Sequence, residues 1–93
     1  MNTTCYIIIF DKELVGNQVF LDRIKRNGTP YSLFDGTVIL LKSTLSSQEI
    51  YKDLSAEPLA NKPILVMATN MGNYFGFMES NLWGWLKEQH NNQ

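Results

Sequence analysis

The chain has 93 residues, of which 44% are hydrophobic and 18% charged, and its formal net charge is −1. This length and composition indicate a single globular domain over residues 1–93 and exclude a disordered chain. The slightly acidic balance is unlike that of most nucleic-acid binders, so any such binding would depend on a local basic patch.

The composition also bears on the cellular compartment. Cys5 is the only cysteine, which excludes an intrachain disulfide and is typical of a reducing environment. No apolar stretch is long enough to span a membrane, and the N-terminus lacks the basic region and cleavage site of a signal peptide. We therefore expect a cytoplasmic protein with no membrane contact.

The first predicted element is a strand over residues 5–10, Cys-Tyr-Ile-Ile-Ile-Phe, which is a short apolar run with polar neighbours on both sides. Apolar residues at successive positions place such side chains on both faces, as in the middle of a sheet that is covered on both sides. Asp11 follows directly, so its carboxylate is expected at the exit of a rigid strand.

A surface helix and a hairpin are predicted next. Asn17 is a candidate N-cap for the helix, which is expected to end at Asn27-Gly28. Two β-prone runs, 31–34 and 37–42, flank Asp35-Gly36. This arrangement predicts a β-hairpin with a type I′ turn.

The clearest local signature is a capping box. Ser46 and Glu49 have its spacing, and Leu45 and Ile50 occupy the hydrophobic staple positions around it. These residues predict the start of a second helix, which is expected to end between residues 55 and 58 because proline does not continue a helix.

The last third of the chain predicts a strand over 64–68 and a short edge strand over 74–77. Leu82, Trp85 and Leu86 then have the i, i+3, i+4 spacing of one helix face, which predicts a short C-terminal helix.

This order of elements predicts an α+β fold, namely a ferredoxin-like βαββαβ sandwich with a short C-terminal strand and helix. Right-handed crossovers would place both helices on one face of the sheet. The other face would then be an exposed apolar patch, which marks an interaction site. We expect a second copy to bury it in a two-fold homodimer, or the C-terminal segment to fold under the sheet or reach across to the neighbour.

No familiar catalytic motif is present, and the single histidine, His90, excludes a Cys/His zinc cluster. Asp11 is the candidate catalytic and metal-binding residue. It either caps the following loop or binds Mg²⁺ or Mn²⁺, since Mg²⁺ often takes only one or two protein carboxylates. A two-fold axis would pair two copies of Asp11, and the metal would polarise a phosphodiester. Glu13 and Asp35 are further candidate ligands.

Two other groups are candidate binding surfaces. Arg23, Lys25 and Arg26 form either the solvated face of the first helix or a nucleic-acid contact. The aromatic residues of the C-terminal segment are core residues or partner anchors, because Trp, Tyr and Phe are favoured at interfaces. The candidate interface residues are Tyr74, Phe75, Phe77, Trp83 and Trp85.

Four stretches in chain order resemble SinR-family proteins: Tyr-Ile-Ile-Ile-Phe-Asp at 6–11, Gly-Thr-Val-Ile-Leu-Leu-Lys-Ser-Thr-Leu-Ser-Ser-Gln-Glu-Ile at 36–50, Lys-Pro-Ile-Leu-Val at 62–66 and Trp-Gly-Trp-Leu-Lys at 83–87. These proteins are relatives of the small endonuclease-like subunit of the CRISPR spacer-adaptation complex. The resemblance implies a ferredoxin-like homodimer with facing sheets. In the nuclease branch an aspartate at the end of the first strand binds a divalent metal, and by position that residue is Asp11.

The wider group also includes non-catalytic proteins, so two functions are predicted. The first is a nucleic-acid-associated protein, or a Mg²⁺- or Mn²⁺-dependent nuclease, that uses paired Asp11 side chains. The second is a non-catalytic dimeric adaptor or inhibitor that acts through protein contacts of the aromatic C-terminal segment. A small-molecule sensor at the dimer seam is a third hypothesis.

Overall fold

The computed structural model describes residues 3–69, 82 and 84–86. Within these residues the chain forms an α+β fold, which confirms the predicted class. The strands are β1 (Thr4–Phe10), β2 (Thr29–Leu33), β3 (Val38–Ser43) and β4 (Ile64–Thr69). The helices are α1 (Gln18–Asn27) and α2 (Ser47–Leu54), and a 3₁₀ helix spans Lys12–Leu14.

The four strands form one antiparallel sheet in the order β2-β3-β1-β4. β1 therefore lies inside the sheet, as its apolar sequence predicts. Its residue Ile8 pairs with Ile39 of β3 on one side and with Val66 of β4 on the other. A strand with two neighbours has all its backbone groups within the ladder, which makes it a rigid base for the residue that follows.

Both helices pack on one face of the sheet, here called the helix face. Tyr6 and Ile8 of β1 share a core cluster with residues of β3, both helices and the segment after α2. The fully buried members include Phe20, Ile24, Ile39, Leu41, Ile50 and Leu54. This layer holds most of the buried apolar surface among the described residues.

The opposite face, here called the second face, is only partly covered. Leu82 and Leu86 pack against Leu33, and Trp85 packs at the margin of the same cluster. Of the alternatives predicted for the C-terminal segment, its described residues adopt the one in which they fold under their own sheet. They cover β2 and β3.

The predicted helix termini are confirmed. The Asn17 side chain accepts a hydrogen bond from the Phe20 N–H at 3.0 Å at the start of α1. At α2 both hydrogen bonds of the capping box are present, since Glu49 N–H donates to Ser46 Oγ at 3.1 Å and Ser46 N–H donates to Glu49 Oε1 at 3.0 Å. These side chains satisfy N–H groups that have no partner within the helix.

The hairpin is confirmed, but its turn begins one residue earlier than predicted. Gly36 N–H donates to the Leu33 carbonyl at 3.1 Å, so Phe34 and Asp35 are the central residues of the turn. Both have positive φ, 52° and 58°, and Gly36 has φ of 86°, so the paired residues Leu33 and Val38 are joined by a four-residue loop and not by the predicted two-residue turn. The reason is the register: pairing of Leu33 with Val38 keeps the apolar side chains of both strands on their proper faces.

Strand boundaries differ slightly from the prediction elsewhere too. Thr4 already belongs to β1 and Thr29 and Pro30 to β2, while Ser43 still belongs to β3 and Thr69 to β4. The predicted edge strand over 74–77 lies outside the described residues, together with the candidate anchors Tyr74, Phe75, Phe77 and Trp83.

Candidate functional site

Asp11 lies directly after β1 and caps the 3₁₀ helix. Its N–H donates to the Pro63 carbonyl at 3.1 Å, and its Oδ1 accepts a hydrogen bond from the Glu13 N–H at 3.0 Å. The carboxylate is partly exposed. Its local geometry is therefore that of a loop-capping residue whose other oxygen is not engaged by this bond.

A lysine lies beside this carboxylate. Lys62 Nζ forms a salt bridge with Glu13 Oε2 at 2.9 Å. The hydrogen bond with Glu13 raises the pKa of Lys62, and the charges of Glu13 and Asp11 raise it further. The segment after β1 therefore carries two carboxylates that interact electrostatically with one ammonium.

These groups meet only part of what a divalent cation requires. Mg²⁺ takes six oxygen ligands, and the chain offers Asp11 here, with Glu13 two positions further on in the 3₁₀ helix. The described part of the chain contains no group of three or more His, Cys, Asp or Glu side chains placed to hold a metal, and Asp35 belongs to no such group. A metal here would depend on water, substrate phosphates or a second copy.

An apolar surface adjoins Asp11. A shallow cavity of about 380 Å³ is lined by Ile9, Phe10, Asp11, Pro63, Ile64 and Leu65. Asp11 is the only charged residue in this lining. The carboxylate therefore lies at the border of an exposed hydrophobic area.

That area is the uncovered half of the second face. It consists of Ile7 and Ile9 of β1 with their cross-strand partners Met67 and Leu65 of β4, and we call these four residues the open patch. Ile9 is 50% exposed, Leu65 49% and Met67 46%. The sequence predicted an apolar second face, but it did not single out these residues. The sequence feature that could have identified the open patch is the placement of Leu65 and Met67 at alternate positions of β4.

The predicted basic group divides into residues with different roles. Arg23 donates to the backbone carbonyls of Leu54 at 3.2 Å, Ala56 at 2.6 Å and Glu57 at 2.5 Å. Leu54 is the last residue of α2 and the other two follow it, and carbonyls at a helix end lack intrahelical partners. Arg23 is therefore a cap that joins the two helices.

Arg26 also joins the helices, through Asp53 of α2. Its Nε donates to Asp53 Oδ2 at 2.8 Å, and its second terminal nitrogen pairs with Asp53 Oδ1. The hydrogen bond from Arg26 lowers the pKa of Asp53, and a further bond from Asn27 contributes in the same direction. Lys25, between these residues in sequence, is exposed.

Trp85 is the one predicted interface anchor that the structure describes. Its indole lies under the Lys42 ammonium at 3.6 Å from the ring centroid, and its carbonyl accepts a hydrogen bond from the same ammonium. The Tyr31 ring lies 5.5 Å away. Trp85 therefore anchors its own chain to the sheet. Its replacement by alanine should disturb the fold, so this variant does not serve as a clean test of partner binding.

Comparisons of the chain with models of protein families, with curated proteins and with solved structures find no match in any of the three. Within the described residues, no helix has the length and apolar character that crossing a membrane would require.

Proposed function

We propose that this protein is a homodimeric interaction module with a ferredoxin-like fold. The order strand-helix-strand-strand-helix-strand supports the fold, together with the strand order β2-β3-β1-β4 and the position of both helices on one face. The module acts as a non-catalytic adaptor or inhibitor through protein contacts. The buried free thiol of Cys5 supports a cytoplasmic location.

The observation that carries this proposal is the open patch. Its four side chains are contiguous, uncharged and on a rigid sheet, and three of them are about half exposed. Contiguous exposed apolar surface on a small protein marks an interaction site. β4 contributes half of the patch, and among the described residues β1 is its only strand neighbour.

A second copy of the chain is the occupant that fits best. The patch is self-complementary in charge, since two uncharged surfaces meet across a two-fold axis without desolvating an ion. The neighbouring Asp11, Glu13 and Lys62 carry both signs, so the rim of one copy is able to attract the rim of the other.

Sedimentation velocity across micromolar protein concentrations tests this assignment. We expect wild type to dimerise and Leu65→Glu to remain monomeric with an unchanged circular dichroism spectrum. Val19→Glu is the matched control, because Val19 is similarly exposed at 40% but lies on α1. A wild-type monomer at every concentration, or a dimer that survives Leu65→Glu, would overturn the assignment.

A second candidate function is a Mg²⁺- or Mn²⁺-dependent nuclease, or another nucleic-acid-associated protein. One observation favours it: Asp11 borders the open patch, so a two-fold axis through the patch would bring two such carboxylates to one seam. In that arrangement Asp11 would hold the metal together with water and substrate phosphates, and the metal would polarise the phosphodiester.

Cleavage of single- and double-stranded DNA and RNA, with either metal against EDTA, tests the second candidate. Asp11→Asn is the informative variant, because asparagine retains the capping oxygen while it removes the charge. Asp22→Asn removes a charge from exposed α1 and is the control. Metal-dependent cleavage that Asp11→Asn abolishes would establish the nuclease; no cleavage, or cleavage indifferent to this change, would leave Asp11 as a cap.

A further inference from the structure

A polar groove lies at the end of the sheet opposite to Asp11. It is formed where α1 ends, β2 begins and β3 ends, and its volume is about 470 Å³. Lys25, Arg26, Thr29 and Thr44 contribute to its walls, and none of its ten lining residues is acidic. The lining therefore carries cations and no carboxylate, although Arg26 is paired with Asp53, which lies outside the lining.

The floor of the groove is built by close backbone packing. A Cβ atom on Gly28 would lie 2.1 Å from the Lys42 carbonyl oxygen, so only glycine allows the end of α1 to approach β3 this closely. Ser43 Oγ donates to the Asn27 carbonyl at 2.6 Å, and Leu45 N–H donates to Ser43 Oγ at 3.0 Å. The bond to Asn27 satisfies one helix-end carbonyl, and the remaining partial negative charge of this helix C-terminus is opposed by the cations Lys25 and Arg26.

Two cations of the last turn of α1 face this region. Lys25 is exposed, and the Arg26 side chain is 61% exposed although it is paired with Asp53. The two bonds to Asp53 use two of the five N–H donors of the guanidinium, so donors remain for a ligand. Asp53 also fixes the orientation of the guanidinium plane. The Lys42 ammonium, in contrast, is bound at Trp85.

We propose that this groove binds a phosphate group carried by a nucleotide or by a nucleic-acid backbone. Arginine and lysine are the side chains that bind phosphate, and threonine hydroxyls add hydrogen-bond donors. The groove volume is within the range of roughly 300–1,000 Å³ that is usual for small-molecule sites. With two cations, binding is weak and sensitive to salt. The groove lies away from the open patch, so the inference does not depend on the proposed dimer.

Titration of ¹⁵N-labelled protein with inorganic phosphate, ATP or a single-stranded oligonucleotide tests the proposal by NMR. We expect saturable shifts of amides at Lys25–Thr29 and near Thr44 with ATP or the oligonucleotide, and these two arms distinguish the sources of the phosphate. Lys25→Glu should weaken binding at least about tenfold, equivalent to roughly 1.4 kcal/mol. Added salt should weaken wild-type binding as well.

Lys52→Glu is the charge-matched control, since Lys52 is an exposed lysine on α2 that does not line the groove. Leu65→Glu should bind as wild type does, which separates the groove from the dimer. The proposal is wrong if neither ATP nor the oligonucleotide gives saturable shifts in the groove, if only inorganic phosphate binds, or if Lys52→Glu weakens binding as much as Lys25→Glu.

Discussion

The second face of the sheet has two halves, one over β2 and β3 and one over β1 and β4. Both are formed by apolar residues at alternate strand positions, but their environments differ. Over β2 and β3, Leu33 is buried beneath Leu82 and Leu86 of the same chain. Over β1 and β4, Leu65 and Met67 are about half exposed. The comparison shows that alternation of apolar residues identifies a face that avoids water, but does not identify what covers it.

The halves also differ in charge. The covered half contains Lys42, which is only 3% exposed, whereas the open patch contains no charged residue. A buried ammonium is costly unless it has partners. Trp85 supplies two of them, a carbonyl and an aromatic ring. The covering residues Leu82, Trp85 and Leu86 are thus specific to their half, and the uncharged half is the one that we propose a second copy covers.

The largest expected contrast is between leucines of the two halves. Leu86→Ala should reduce the free energy of unfolding by about 2–4 kcal/mol, because it removes buried methyl groups and leaves a cavity. Leu65→Ala should cost less than about 1 kcal/mol in the monomer, because its side chain is half in water. Urea unfolding at low protein concentration measures both values. Equal costs would mean that the open patch is buried within the monomer.

A second contrast uses Cys5, which lies at the boundary of the two halves, paired with Lys42 on one side and Thr69 on the other. The thiol is buried, and this burial raises its pKa above the usual 9.0, although Thr69 and Lys42 oppose the shift. At neutral pH the thiolate fraction is therefore smaller than in a free cysteine. Alkylation of the native protein should be slow and should increase with pH beyond 9.0.

Trp85 holds Lys42, the cross-strand neighbour of Cys5, so loosening of the covering residues Leu82, Trp85 and Leu86 should expose this thiol. We expect Leu86→Ala to accelerate alkylation by about tenfold or more, since each 1.4 kcal/mol of easier opening multiplies the open population by ten. Leu54→Ala, in the core of the helix face, is the matched control for general destabilisation. The two variants are compared under conditions that give them the same free energy of unfolding. If Leu54→Ala then accelerates alkylation as much as Leu86→Ala does, Cys5 is exposed only by global unfolding.

The same comparison explains how much of this structure could be predicted from sequence. Local signals were sufficient for the caps at Asn17 and Ser46, because the partners of a cap lie within four residues. The apolar run of β1 was sufficient to place it inside the sheet. These features depend on short-range chemistry or on a strong periodic pattern.

Features that depend on distant residues were not predicted. The capping of α2 by Arg23 joins residues 31 to 34 positions apart, and Lys42 meets Trp85 across 43 positions. The sequence alone therefore left Arg23 as either a solvated cation or a nucleic-acid contact, and Trp85 as either a core residue or an anchor for a partner. Asp11 was placed correctly at the strand exit, whereas its position beside the open patch became visible only with the register of β1 and β4.

A smaller expected effect is a pH dependence of the stability that arises at the helix face and not at the second face. The bond from Arg26 lowers the pKa of Asp53, so the folded pKa lies below the unfolded value near 3.8. The resulting stabilisation is present above that value and is lost as the pH falls through the folded pKa. The urea midpoint of wild type should decrease on acidification, and Asp53→Asn should weaken this dependence. Asp22→Asn, which leaves the pair intact, should not.

This acid effect belongs to the contact between α1 and α2, whereas the four side chains of the open patch do not titrate and, among the described residues, carboxylates occur only at its rim, at Asp11 and Glu13. Dimerisation through the patch should therefore be less sensitive to mild acid than the unfolding midpoint is. A dimer that dissociates in parallel with the protonation of Asp53 would place the interface on the helix face.

The smallest expected effect lies at the tip of the hairpin that joins the two covered strands. Phe34 has φ of 52° and is 64% exposed, so an aromatic side chain occupies a left-handed position without the benefit of burial. Phe34→Gly removes this strain but gives the unfolded chain more conformational freedom. The net result should be an increase of about 0.5 kcal/mol in the free energy of unfolding. Phe34→Ala retains the unfavourable φ and should show no such gain. Because the turn connects β2 to β3, the gain should slow amide exchange in these strands more than in β4. A glycine variant less stable than the alanine variant would show that the Phe34 ring has a contact that outweighs its backbone strain.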